Sequence, residues 1–305
     1  MKKGVLIIGN GFDLDFGLKT TFNDIFADWK PDGNITLTSL YRLVNKNNRN
    51  EWNFLEDSIG QIYANNEYSS INDFDKEEDC HEAMRIKIVE YLKSLDYKQN
   101  DSSYASRLIK AISQNGKFNV YSFNYTNTVN HIVNDKLQVN HVHGRATDST
   151  AILGTEDNQK AIKELCFLQK SFSPYYRSTN LKYDLSNANT VIFFGHSLGK
   201  ADFLYFENFF KTQSADGLDE KSKKKIVLIT YDEYNRRKLL YQLFSMNNNR
   251  LDLFFQQNEF EVILTDLSDA NRSQYETKFE ELLKYLHDNS LQANREKLHQ
   301  IASMI

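Results

Sequence analysis

Gly4-Val5-Leu6-Ile7-Ile8-Gly9-Asn10-Gly11-Phe12-Asp13 is the stretch on which the fold turns. A short apolar run, mostly β-branched and stopped by glycine, reads as a strand buried on both faces of a parallel sheet. Similar runs recur at 118–123, 139–142, 190–194, 226–230 and 260–264. Between them apolar residues return at helical spacing, as in Met84, Ile88, Tyr91, Leu92 and Leu95, and again in Tyr275, Phe279, Leu282, Leu283 and Leu286. Strands alternating with helices predict an α/β domain with a mostly parallel sheet flanked by helices.

The gap between the first two strands is far longer than one crossover helix needs. Its interior, about 20–115, is rich in helical patterns, Asn and charge, which predicts a helical insertion packed on the sheet within a single domain of 1–305. A further helical segment is expected at about 270–305. The polar runs 45–50 (NKNNRN) and 247–249 read as loops, and KSKKK at 221–225 as a solvated loop before a strand.

The chain has 305 residues, 37 Lys+Arg against 41 Asp+Glu and a formal charge of −4, which argues against a non-specific nucleic-acid binder. Two cysteines, Cys80 and Cys166, exclude a disulfide framework and a four-thiolate zinc site. No apolar run approaches the ~20 residues of a membrane span. The apolar part of the N-terminus is too short for a signal peptide, so a soluble, cytoplasmic protein is expected. Eight of the 12 glycines fall in the stretches 4–17, 144–154 and 195–199, which directs attention to these places.

Four motifs carry chemistry. Gly9-Asn10-Gly11-Phe12-Asp13, followed by Gly17-Leu18-Lys19-Thr20, lies between a strand and the helical pattern 22–29. Glycines there let backbone N–H groups approach a phosphate, although the spacing is not G-x-G-x-x-G. The bland alternative is a tight turn. Ser122-Phe123-Asn124-Tyr125-Thr126-Asn127 ends a strand, where open α/β sheets hold ligands, and where Asn also serves as a turn former. His141-Val142-His143-Gly144 ends another strand; the two imidazoles supply half a metal site with no evident further ligands, so no metal is expected, and His143 suits a general base or a structural role. Gly195-His196-Ser197-Leu198-Gly199, then Asp202, reads in isolation as the G-x-S-x-G nucleophile elbow of α/β-hydrolases, with Ser197 attacking an ester or amide, Asp232 as the acid and His287 or His299 as the base. Both histidines lie in an amphipathic helical segment, and the first motif is then left without a role. Trp52 and Glu56 share a helical face at i, i+4, read as packing or as a lid, and Glu156-Asp157 lies near the same motifs without an assigned role.

Taken in order, LIIGNGFDLDFGLKTTF, WNFLED, YSFNYTNT, HVHG, ILGTED and FFGHSLGKAD resemble the bacteriophage abortive infection AbiH family. More distantly the order is similar to the sirtuin-like NAD-binding fold. That resemblance implies a Rossmann-like sheet with a helical insertion after the first strand. It implies NAD or a related nucleotide as ligand, cleaved at the nicotinamide–ribose bond to deplete infected cells. It implies His143, Asn124 and Asp13 in catalysis: His143 as base toward a ribose hydroxyl, Asn124 positioning water or the nicotinamide amide, Asp13 supporting the cation or a ribose hydroxyl. It implies Gly9, Asn10, Gly11, Phe12, Gly17 and Thr20 in cofactor loops, the amides of Gly9 and Gly11 holding pyrophosphate. Gly195, His196 and Ser197 then reach the adenosine half, and Asp202 joins the cofactor-binding residues. A phage-derived trigger and a homo-oligomer are the further partners implied, with no membrane or nucleic acid. Two cysteines cannot build the zinc module of sirtuin deacylases, and Asp13 stands where many sirtuins have a small residue. A nucleotide sensor acting through a separate partner is the alternative from another class.

Overall fold

A computed structural model describes residues 4–46, 56, 59, 73–155, 157, 163–266, 268 and 270–302, with 43–46 and 289–302 as backbone alone. Trp52, Glu156 and the loop positions 47–50 lie outside the described residues.

β1 (Gly4–Ile8) is buried along its whole length because it runs through the middle of the sheet. β2 (Phe118–Ser122) and β4 (Thr190–Phe194) flank it; β3 (Val139–His141), β5 (Lys225–Thr230) and β6 (Glu259–Leu264) complete six strands in the order β3-β2-β1-β4-β5-β6. Every pairing is parallel. This is the Rossmann strand order, with its switch point between β1 and β4.

The helix after β1 begins sooner than the glycines suggest. α1 (Asn10–Phe16) starts two residues beyond the strand and ends at Gly17, whose φ of 103° is the left-handed cap conformation. The pattern expected over 22–29 forms α2 (Phe22–Phe26), opened by a Thr21–Asp24 capping box. α3 (Ser39–Lys46), α4 (Phe74–Lys93) and α5 (Tyr104–Asn115) follow before β2. Beyond it come α6 (Thr128–Val133), α7 (Leu181–Asn187), α8 (Phe203–Gln213), α9 (Glu233–Met246), α10 (Leu251–Gln257) and α11 (Arg272–Ala302).

Alternate residues of each strand feed opposite faces. Leu6, Ile8, Val120, Ile192 and Ile229 pack with Phe12, Phe16, Leu108, Ile112 and Phe279 of α1, α5 and α11. Val5, Ile7, Val191, Phe193 and Leu228 pack with Leu181, Phe206, Phe210 and Leu243 of α7, α8 and α9. A third cluster joins Phe22, Ile25, Leu40, Met84 and Ile88 to Ala151, Leu153, Leu165 and Leu168. Helices α2 to α4 and residues 146–155 and 163–168 therefore form a cap with its own apolar interior, while α5 packs on the sheet. Among the described residues no helix is long and apolar enough to cross a membrane.

Candidate functional site

The strand register brings the motifs to one rim. Ile8 is level with Ser122 and Phe194, Phe194 with Ile229, and Ser122 with His141. The chain thus leaves the sheet at Gly9, Phe123, Val142 and Gly195 side by side. A cleft of about 1440 Å³ follows this C-terminal rim across the β1–β4 switch point. It exceeds the ~300–1,000 Å³ typical of small-molecule pockets, so an extended ligand has room.

Gly9, Asn10, Gly11, Asp13, Thr20, Asn124, His143, Gly195, His196, Ser197 and Asp202 all line this cleft. Phe12 and Gly17 do not. Phe12 is fully buried, its ring edge-on to Phe194 at 5.2 Å, so it is core. Gly17 caps α1.

The glycines serve chain-to-chain contact. Gly9 N–H donates to the Phe194 carbonyl and Gly11 N–H to the Gly195 carbonyl, each at 3.0 Å. These two amides are committed to the sheet and loop, a correction to the expectation that they hold pyrophosphate. Gly195 has φ 64°, and a Cβ there would overlap Phe12 N and the Gly11 backbone. The β1 and β4 loops interlock through main chain alone.

Asp13 is 1 % exposed, and its two carboxylate oxygens accept from the hydroxyls of Thr126 and Thr128, both at 2.6 Å. Burial raises its pKa to about 6 against the lowering effect of Thr126, Thr128 and Asn124. The geometry makes Asp13 the anchor of the loop after β2, at the edge of the cleft it also lines. Asn124 Nδ2 donates to the Gly9 carbonyl at 3.0 Å, tying the β2 loop to the β1 loop. Thr20 Oγ1 donates to Asn10 Oδ1 at 2.7 Å, bringing the loop after α1 to the rim.

His143 belongs to a buried charged cluster. Phe123 stands edge-on between His143 and His196, with centroids at 5.1 and 4.5 Å. Lys170 Nζ lies 3.2 Å from His143 Nε2, 3.0 Å from a Glu56 oxygen and 3.5 Å from Asp202 Oδ1. Asp202 Oδ1 is also 3.5 Å from His143 Nε2, and Asp202 Oδ2 is 3.3 Å from His196 Nε2. An ammonium only donates, so His143 Nε2 is the acceptor and the ring proton sits on Nδ1. Burial first, then the Lys170 charge, pushes the His143 pKa down to about 3. For Asp202, burial alone would raise the pKa; Lys170 and the His196 hydrogen bond outweigh it and hold the carboxyl below the usual carboxylate range. Among the described residues, two carboxylates thus face the Lys170 ammonium at this end.

Sequence reading missed Lys170, which lies in a polar segment without a motif. The ILGTED stretch positions it: Thr155 N–H donates to Leu168 O and Lys170 N–H to Thr155 O, both at 2.8 Å. It also missed the far end, where Tyr231, Tyr234, Arg237, Lys238 and Tyr241 line the cleft. The three tyrosines are exposed, and Lys238 Nζ sits 4.6 Å from the centroid of Tyr234. Their signal was present in the sequence: Tyr234, Lys238 and Tyr241 are spaced i, i+4, i+7 on α9.

The nucleophile-elbow reading fails on geometry. An elbow strains the serine itself, whereas the left-handed residue here is Leu198, φ 51°. Asp232 caps α9 by accepting from Asn235 N–H at 2.8 Å, and His287 neighbours Asp288 at the surface.

A family model described as Bacteriophage abortive infection AbiH matches residues 5–220. The chain belongs to the AbiH family. The match spans every motif quoted from the sequence, from β1 to Asp202, so in this AbiH protein the cleft from Gly9 to Asp202 is built wholly from family-matched chain. Its aromatic end on α9 lies beyond the matched span. No curated protein matches the chain.

Proposed function

We propose that this AbiH protein binds NAD along the C-terminal rim of a sirtuin-like sheet and hydrolyses its nicotinamide–ribose bond, removing NAD from phage-infected cells. One observation carries the reading: a single long cleft crosses the switch point with its carboxylate-rich end at His143 and its aromatic, basic end at α9. NAD has the matching polarity, a cationic nicotinamide at one end and an adenine next to pyrophosphate at the other. Water adds its oxygen to the ribose C1, the C1–N bond breaks, its electron pair neutralises the ring nitrogen, and one proton goes to solvent. Such a reaction passes through a cationic sugar, which nearby carboxylates stabilise. Asn124 positions the water; His143 acts as base toward a ribose hydroxyl once bound substrate displaces Lys170 from its Nε2, a role typically worth ~10²–10⁴-fold.

Purified full chain is expected to release nicotinamide from NAD, and His143→Ala and Asn124→Ala to fall by about 100-fold or more while retaining wild-type melting behaviour. In infected cells both variants should preserve NAD and lose protection. Wild-type chain that leaves NAD intact in infected cells overturns the reading.

A second reading, a nucleotide sensor without turnover, draws support from Lys170 occupying the His143 Nε2 lone pair. Calorimetric NAD binding without nicotinamide release, before and after addition of infected-cell extract, would favour it.

A further inference from the structure

Asp13 was the carboxylate expected beside the sugar, and its oxygens are both taken by threonines. Asp202 differs in the way that matters for ligand contact. It is 7 % exposed and lines the cleft, and its Oδ1 has no hydrogen-bond partner among the described residues. Oδ1 stands at 3.5 Å from both Lys170 Nζ and His143 Nε2, outside good hydrogen-bond reach of either. A buried carboxylate oxygen left this way is costly, and a ligand donor would relieve the cost.

We propose that Asp202 is the substrate-facing carboxylate of the site, its Oδ1 accepting a hydroxyl of the nicotinamide-side ribose, and that Lys170 is the positioning residue that fixes Asp202 and His143 beside each other. The proposal rests on the NAD reading for the identity of the sugar. Its structural content is independent: a charged cluster in which the 3₁₀ turn Lys170–Phe172 supplies the ammonium, the turn Lys200–Asp202 one carboxylate, and Glu56 the other.

Among the described residues, the groups facing Lys170 and Asp202 are Glu56, Tyr125, His143 and His196. The Tyr125 hydroxyl donates to the Ile152 carbonyl at 2.8 Å, and its pKa is raised by burial. His196 Nδ1 accepts from Leu198 N–H at 3.0 Å, which aims Nε2 at Asp202 Oδ2 and leaves Oδ1 as the ligand side. Removal of the Lys170 charge takes away the second of the influences that oppose protonation of His143, after burial, and keeps the attraction of Asp202, so the imidazole becomes easier to protonate.

The test uses full chain labelled with ¹⁵N-histidine, in wild-type form and as Asp202→Asn, Asp202→Glu, Lys170→Met and Lys170→Arg. The glutamate variant keeps the charge that balances Lys170, so a fold lost in the asparagine variant does not block the measurement. Calorimetry with ADP-ribose is expected to show binding weakened about tenfold or more in both Asp202 variants. AMP, which lacks the second ribose, should bind within about twofold of wild type. Nicotinamide release should fall about 100-fold in Asp202→Glu. The His143 titration midpoint should rise by about one unit or more in Lys170→Met and stay near wild type in Lys170→Arg.

Equal ADP-ribose affinity in Asp202→Glu, equal weakening of AMP, or no ADP-ribose binding by wild type overturns the assignment of Asp202. An unmoved His143 signal in Lys170→Met overturns that of Lys170. Wild-type chain that binds ADP-ribose through Asp202 yet never releases nicotinamide supports the contact and removes the cleavage reading alone.

Discussion

Asp13 and Asp202 are both buried carboxylates, and their neighbours send them to opposite charge states. Asp13 has two hydroxyls and no cation, so burial dominates and its pKa rises to about 6. Asp202 has an ammonium and an imidazole and stays ionised. The linkage sign for Asp13 follows: the folded state holds the proton more tightly, so this stability is fully present below pH about 3.8 and is lost as pH rises through about 6. Asp13→Asn still accepts from one threonine and donates to the other. Relative to that variant, wild type should lose roughly 2–3 kcal/mol between pH 4 and 7.5, read from urea unfolding. Asp15, also raised to about 6 by burial, is common to both chains and cancels. The sequence marked Asp13 as polar in a glycine loop; Thr126 and Thr128, which decide its role, are more than a hundred residues away.

At the scale of elements, β1, β4 and β5 were legible because strands buried on both faces are nearly unbroken apolar runs, and the shorter or more polar β2, β3 and β6 were also found within a residue of their expected places. α1 was not legible. Gly9 at its N-cap and Gly11 in its first turn read as a phosphate loop, yet they are the surfaces on which the β4 loop rests. Gly195→Ala places a methyl in the Phe12 and Gly11 backbone at a left-handed φ, so it should cost about 2 kcal/mol or more and abolish nucleotide binding. Gly17→Ala, also left-handed but meeting only the Asn100 side chain at an ordinary contact distance, should cost about 1 kcal/mol and leave binding intact. Thermal melts beside calorimetry separate the two. On α9, Tyr234→Ala should weaken AMP binding about tenfold, the usual size of a lost base–aromatic stack, without changing the melt.

For the whole molecule, the deciding relation is between cap and sheet. Glu56 comes from the region between β1 and β2, where a helical insertion was expected; Lys170 comes from the segment packed under the cap, and the pair closes over the His143 end of the cleft. Breaking a buried pair typically costs about 3–5 kcal/mol, and Glu56→Gln should cost less because Asp202 still faces Lys170. Urea midpoints of Glu56→Gln and Lys170→Met should differ accordingly, the second keeping two carboxylates without their cation. Lys170 escaped the sequence because nothing local signals it. Its place depends on the pairing of Thr155 with Gln169, a long-range contact that no spacing rule contains.

The interlocked glycine loops have an evolutionary corollary. At Gly9, Gly11 and Gly195 an added Cβ meets the backbone of the facing loop, so these positions admit no adjustment in small steps. A change of ligand preference in this chain is therefore left to the two ends of the trough, the tyrosine-bearing helix and the acidic cap, where side chains and not backbone line the wall.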